Sequence, residues 1–135
     1  MVAVDTNVLV AFLASHEKDN AKAKALLRER GYELVISPIV FAELSSDPRG
    51  TPEQMESFLK DLRIQIDFKL SEAAWRRATT SYRAYALRRR EAKAGLPKRF
   101  LADFIVGAHA LEVSGKLMTF DKGYRAFFPE LELLS

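Results

Sequence analysis

Residues 1–14 read MVAVDTNVLVAFLA, and their pattern predicts the fold class of the chain. The short apolar run at residues 1–4 is typical of a buried parallel strand, and it stops at Asp5. A helix is predicted to follow directly, since Thr6 or Asn7 can start it and apolar side chains then recur at helical spacing. A buried strand that leads straight into an apolar helix is typical of an α/β domain.

The rest of the chain repeats this alternation of strand and helix. Because the links are short, the sequence predicts one α/β domain over residues 1–135, with a parallel sheet of about four to five strands and helices on both faces. Further strands are predicted at 33–37, 64–68, 116–120 and 131–134. Further helices are predicted at 20–30, 38–46, 53–62, 71 to about 95, 101–114 and 124–128.

The composition is that of an ordinary globular protein, with 48% hydrophobic and 29% charged residues. There is no cysteine, which excludes disulfides and zinc–thiolate sites and fits a reducing compartment. No apolar stretch approaches the ~18 residues of a membrane span, and the amino terminus lacks the basic region of a signal peptide. We therefore expect a cytoplasmic protein that does not enter a membrane.

Positive charge is concentrated in one segment. The net charge of +3 is weak evidence for an anionic partner, but between Arg76 and Arg99 only Glu91 opposes the basic residues. Such a segment either holds the phosphates of a nucleic acid or forms a solvated helix face. The candidates for phosphate binding are Arg88, Arg89, Arg90, Lys93, Lys98 and Arg99.

Four acids fall where an open parallel sheet gathers its functional residues, at the carboxyl ends of strands. Asp5 and Asp121 follow predicted strands, Glu43 lies on the helix after the second strand, and Asp103 opens an otherwise apolar helix. Carboxylates that converge repel one another unless a cation lies between them. Oxygen ligands without cysteine favour Mg²⁺ or Mn²⁺ over zinc or copper.

Each acid also has an ordinary structural interpretation. Asp5 can cap the first helix, Asp103 can complement the positive end of its helix, and Asp121 can cap the last helical turn. Glu43 can face solvent, although its apolar neighbours predict that it has little exposed surface. Chance placement of all four at the same edge of the sheet is less probable than any one of these readings.

Three other functions are alternatives to the predicted metal site. A phosphatase with an aspartyl nucleophile at Asp5 needs an acid two residues later, where this chain has Asn7. A phospho-acceptor signalling domain needs an acidic pair after the first strand, and only Asp5 is present there. A non-enzymatic RNA- or protein-binding module remains open, although the complete acid set argues against it.

Three segments together resemble the PIN-domain nucleases, and more closely the VapC-type toxins of type II toxin–antitoxin pairs. They are VAVDTNVLVAFL near the start, SPIVFAEL in the middle and LADFIVGAHALEVSGKLMTFDKGY near the end, in the order that the family has. The resemblance implies a PIN-like α/β/α sandwich whose catalytic and metal-binding acids are Asp5, Glu43, Asp103 and Asp121. Asp5 and Asp103 are then the best direct ligands, and the other two bind through water or orient the nucleophile.

The family also places small polar helpers at Asn7 and Thr119. Thr119 lies two residues before Asp121, so a strand would direct both side chains to the same side, and its hydroxyl can orient a carboxylate. One departure matters: some relatives carry a further acid where this chain has Gly123. We therefore expect that a second metal ion is bound weakly, or only together with the substrate.

The resemblance implies a Mg²⁺- or Mn²⁺-dependent endoribonuclease that leaves 5′-phosphate and 3′-hydroxyl ends. Its substrate would be RNA, with structured RNA such as tRNA or rRNA included, and the six basic residues would hold the phosphates beside the metal. A toxin of this type inhibits translation, forms a homodimer and is blocked by a cognate antitoxin protein. The alternative is a PIN-fold RNA-processing nuclease, or a catalytically weak RNA-binding module, without an antitoxin.

Overall fold

The computed structural model describes residues 1–28, 31–93 and 98–135. The predicted end of the long basic helix, at residues 95–97, lies outside these ranges. Within them the strands are β1 (Val2–Val4), β2 (Leu34–Ile36), β3 (Ile64–Ile66), β4 (Lys116–Met118) and β5 (Glu132–Leu134). The helices are α1 (Thr6–Leu13), α2 (Asn20–Arg28), α3 (Pro38–Ser45), α4 (Pro52–Asp61), α5 (Glu72–Glu91), α6 (Leu101–Val113) and α7 (Tyr124–Phe127).

The five strands form one parallel sheet in the order β3-β2-β1-β4-β5. The chain first builds the sheet outward from β1 through β2 to β3, and then returns to the other side of β1 for β4 and β5. The strand order therefore reverses between β1 and β4, where Ala3 pairs with Leu117. In open α/β sheets, ligands bind at the carboxyl ends of the strands beside such a reversal. The predicted α/β/α architecture is confirmed.

The core forms around β1, whose three residues are all buried. Helix α6 packs on β1 and β4, and it has buried residues without interruption from Phe104 to Ala110. The close packing of α6 against Phe128, which follows α7, depends on Gly107, because a Cβ atom there would lie 2.4 Å from the Phe128 ring. Asp103 lies in the first turn of this buried helix, so packing of α6 fixes its position.

The boundaries of several predicted elements change. The predicted strand at 64–68 ends at Ile66, and Phe68 is 62% exposed. The strand predicted at 33–37 ends at Ile36, because the Ser37 side chain accepts from the Val40 amide and caps α3. Within the described ranges, no helix is both long enough and apolar enough to cross a membrane.

Candidate active site

Asp5 caps α1, which is one of the two interpretations that the sequence left open. It follows β1 at the N-cap of α1, and its Oδ1 accepts a hydrogen bond of 2.8 Å from the Thr6 amide. Its Oδ2 accepts from the Thr119 hydroxyl at 2.9 Å and from the Asn7 side-chain amide at 3.3 Å. The residue is only 7% exposed, so these three donors hold a buried carboxylate in one orientation.

Thr119 joins both sides of the strand reversal. Its hydroxyl oxygen accepts from the Asp121 amide at 3.0 Å and from the Asn7 side chain at 3.1 Å. Because those donors point at the oxygen, the single hydroxyl proton is directed to Asp5. Asn7 Oδ1 accepts from the Phe120 amide at 3.2 Å, which ties α1 to the segment after β4.

No ion pair with a described residue compensates the negative charge of the Asp5 carboxylate. Burial raises its pKa to about 6, against the opposing effect of the hydrogen bonds from Thr119 and Thr6. The ion pairs of the described residues do not include Asp5. The buried Tyr124 hydroxyl lies beside Asp5, and burial, then the charge of Asp5, raises the pKa of this phenol.

Asp103 and Asp121 are compensated by Arg99. Arg99 Nη2 donates to Asp121 Oδ1 at 2.8 Å, and Nη1 lies 3.6 Å from Asp103 Oδ2. The guanidinium lowers the pKa of Asp121. Burial raises the pKa of Asp103, and the charge of Arg99 partly offsets this effect. The charge of Asp103 acts on both Asp5 and Asp121, so these three acids share one electrostatic environment.

Glu43 lies at the rim of the site. Its Oε1 accepts a 2.8 Å hydrogen bond from the Thr6 hydroxyl, so Thr6 contacts Asp5 through its amide and Glu43 through its side chain. The expectation that Glu43 has little exposed surface is wrong, because α3 buries Val40 and Leu44 and turns Glu43 outward. Thr6 was missed as a site residue, although it is the middle residue of the D-T-N motif.

The predicted phosphate-binding residues divide into two groups. Arg88 is exposed, with its guanidinium carbon 5.8 Å from the centre of the Phe127 ring. Arg99 is instead directed into the acids. The backbone amides of Lys98 and Arg99 both donate to the Tyr85 hydroxyl, at 2.8 and 3.0 Å, and this contact anchors the segment beside Asp103. Of the remaining candidates, Arg90, Lys93 and Lys98 are exposed, and Arg89 is half-buried.

The donor set suits a hard cation at Asp5. No three acidic or histidine side chains of the described residues converge into a ready-made metal cage. Mg²⁺ does not need one, because it commonly keeps several waters and uses one or two carboxylates together with substrate phosphates. A buried carboxylate without a cationic partner among the described residues is consistent with such an ion.

The PIN domain family profile matches residues 2–127. Comparison with the sequences of curated proteins gave no significant match.

Solved structures with the same fold cover nearly the whole chain. FitAcB from Neisseria gonorrhoeae is 22% identical, with a TM-score of 0.65 over 100% of this chain and 97% of that chain. VapC20 from Mycobacterium tuberculosis, described as a toxin that cleaves the sarcin–ricin loop, is 16% identical, with a TM-score of 0.64 over 93% and 94%. VapBC2 from Rickettsia felis, solved with a DNA fragment from its promoter, is 23% identical, with a TM-score of 0.58 over 97% and 95%. At these identities the likeness shows a shared fold.

Proposed function

Because the chain belongs to the PIN domain family, we propose that it is a metal-dependent endoribonuclease, formed by a single domain over residues 1–135. The observation that carries the proposal is the buried Asp5 carboxylate. It lies at the strand reversal of the sheet, three donors orient it, and the described residues give it no cationic partner. That arrangement stabilises the native state poorly and suits the binding of a cation well.

Asp5 and Asp103 are the proposed ligands of Mg²⁺ or Mn²⁺, which when bound would make a water molecule more acidic and stabilise charge on the phosphate. The chain's own residues hold this site in place. Thr119 and Asn7 orient Asp5, and loss of a group that orients a metal ligand commonly lowers metal affinity or activity by about 10–100-fold. Glu43, with one oxygen bound to Thr6, is placed at the rim to orient the attacking water or accept its proton.

The substrate that fits this site is RNA. The exposed cations Arg88, Arg90, Lys93 and Lys98 lie on the segment that leads to Asp103, where they can bind phosphates on either side of the cut. We propose products with 5′-phosphate and 3′-hydroxyl ends. Structured RNA of the translation apparatus is the favoured class, since the similarly folded VapC20 is described as cleaving the sarcin–ricin loop.

We further propose that the nuclease is the toxin of a toxin–antitoxin pair, inhibits translation in the cytoplasm, and forms a homodimer. The similarly folded VapBC2 was solved with a DNA fragment from its promoter, and FitAB was solved with the IR36 DNA fragment. Co-expression with the product of a small adjacent reading frame tests the pairing. The expected result is a complex that copurifies and has no nuclease activity, and a neighbour that neither binds nor inhibits contradicts the pairing.

The direct test is to incubate the purified protein with total RNA in Mg²⁺, Mn²⁺ or EDTA and to map the ends of the products. Cleavage is expected with either metal and none with EDTA. The Asp5→Asn variant should also be inactive. Asp61→Asn, which removes an exposed acid at the end of α4, is the matched control and should cleave normally. Equal activity of the Asp5 variant and wild type would overturn the proposal.

A further inference from the structure

Arg99 is the one basic side chain among the described residues that forms ion pairs with two of the proposed site acids. It bonds Asp121 at 2.8 Å and lies 3.6 Å from Asp103, and only 20% of its side chain is exposed. This geometry differs from that of an exposed phosphate-binding arginine, because the guanidinium is directed into the protein. Its positive charge lies between two acids that would otherwise repel each other and favour a bound cation.

The protein provides space for this guanidinium at Gly123. A Cβ atom at Gly123 would lie 1.8 Å from Arg99 Nη2, so any side chain at that position would have to displace the arginine. The same Gly123 amide donates to Asp121 Oδ1 at 2.9 Å, the oxygen that also accepts from Arg99. The guanidinium of Arg99 can occupy this position because Gly123 has no side chain and because both residues donate to Asp121 Oδ1.

Aromatic groups fix Arg99 from the other directions. Its guanidinium carbon lies 5.6 Å from the centre of the Tyr124 ring and 5.3 Å from that of Phe127, within the range of cation–π attraction. Its backbone amide donates to the Tyr85 hydroxyl at 3.0 Å. The main chain and the side chain of Arg99 are therefore both fixed in position, as expected for a residue that belongs permanently to the site.

We propose that Arg99 is a built-in cation of the active site, which takes the place of a second metal ion at Asp103 and Asp121. The chain then binds one divalent ion, at Asp5 and Asp103, since no described residue supplies a positive charge at Asp5. This inference rests on the proposed nuclease function. It makes Arg99 a positioning residue that sets the metal stoichiometry, a property that can be measured without RNA or catalysis.

The test is calorimetric titration of Mn²⁺ into the metal-free protein, with low-temperature EPR to detect spin coupling between neighbouring ions. Wild type is expected to bind one ion without coupling. Arg99→Gln removes the charge and should bind two coupled ions, whereas Arg99→Lys should still bind one. Arg125→Gln, at an exposed position on α7, is the matched control and should also bind one.

A second variant keeps the inference testable if the Arg99 substitutions prevent folding. Gly123→Ala retains Arg99 but introduces a methyl group that would lie 1.8 Å from its Nη2, so it should displace the guanidinium and bind two coupled ions. Two coupled ions in wild type, or one ion in both Arg99→Gln and Gly123→Ala, would overturn the inference and leave the nuclease function intact. Absence of any Mn²⁺ binding by wild type would overturn both.

Discussion

Burial of the Asp5 carboxylate lowers the free energy of unfolding when the group is charged. Burial raises its pKa from the ordinary 3.8 to about 6. Between these values the folded protein holds more protons than the unfolded chain, so the free energy of unfolding falls as the pH rises through this window. In the absence of metal, the charged carboxylate is therefore a destabilising group at neutral pH.

Asp5→Asn is expected to remove this cost. Above about pH 6 the metal-free variant should be more stable than wild type by about 1–3 kcal/mol, and below about pH 4 the two should be nearly equal, because Asp5 is then protonated in both states. Urea unfolding at several pH values with EDTA measures the difference. A variant that is less stable than wild type at pH 7 would contradict the account of Asp5.

Thr119 gives a prediction about orientation. Thr119→Val keeps the shape of the side chain but removes the hydroxyl that donates to Asp5 and accepts from the Asp121 amide. We expect a loss of about 10–100-fold in kcat, as for other groups that orient metal ligands. Thr119→Ser retains the hydroxyl and should stay within about threefold of wild type. Equal losses in the two variants would show that packing, and not the hydrogen bond, matters at this position.

At the residue scale, the sequence could identify the acids but not their partners. The D-T-N motif singles out Asp5 because a buried strand that ends in an acid is chemically unusual. The tie between Thr6 and Glu43 depends on how α1 and α3 pack, and no spacing along the chain shows it. The position of Arg99 is a similar case, since its basic segment gives no indication that one side chain turns inward.

At the element scale, α6 depends on a close approach that only glycine allows. Gly107→Ala would place a methyl group 2.4 Å from the Phe128 ring, so the helix or the ring must move. We expect a loss of about 1–3 kcal/mol in the free energy of unfolding, the usual range for overpacking. Gly31→Ala is the matched control, because no atom of the described residues beyond its chain neighbours lies within 4 Å of its added Cβ, and it should change stability by less than about 0.5 kcal/mol. Chemical denaturation of both variants checks the difference.

The elements were largely predictable because their signals are local. Pro38 marks the predicted start of α3, and the structure places the helix there. Strand ends were less predictable, because these strands are three residues long and pairing rather than composition decides where each stops. The apolar character of 64–68 continues beyond the last paired residue, Ile66, so the prediction made β3 too long.

At the scale of the whole molecule, charge is expected to control RNA binding. Replacement of Arg88, Arg90 and Lys93 by Gln removes three exposed cations from the segment that leads into the site. The slope of log affinity against log salt should fall by about 2, since each phosphate contact contributes about 0.7 on single-stranded RNA. Binding is measured with the inactive Asp5→Asn protein. The exposed lysines Lys18, Lys22 and Lys60, replaced in the same way, should leave the slope unchanged.

The topology also determines when activity can first arise. The hydrogen bond from Thr119 to Asp5 joins positions 114 residues apart, and the second of them follows a strand near the carboxyl terminus. A growing polypeptide on the ribosome that ends before β4 already contains Asp5, Glu43 and Asp103, yet it lacks the Thr119 hydroxyl that donates to Asp5. Synthesis must therefore be almost complete before the proposed active site can form.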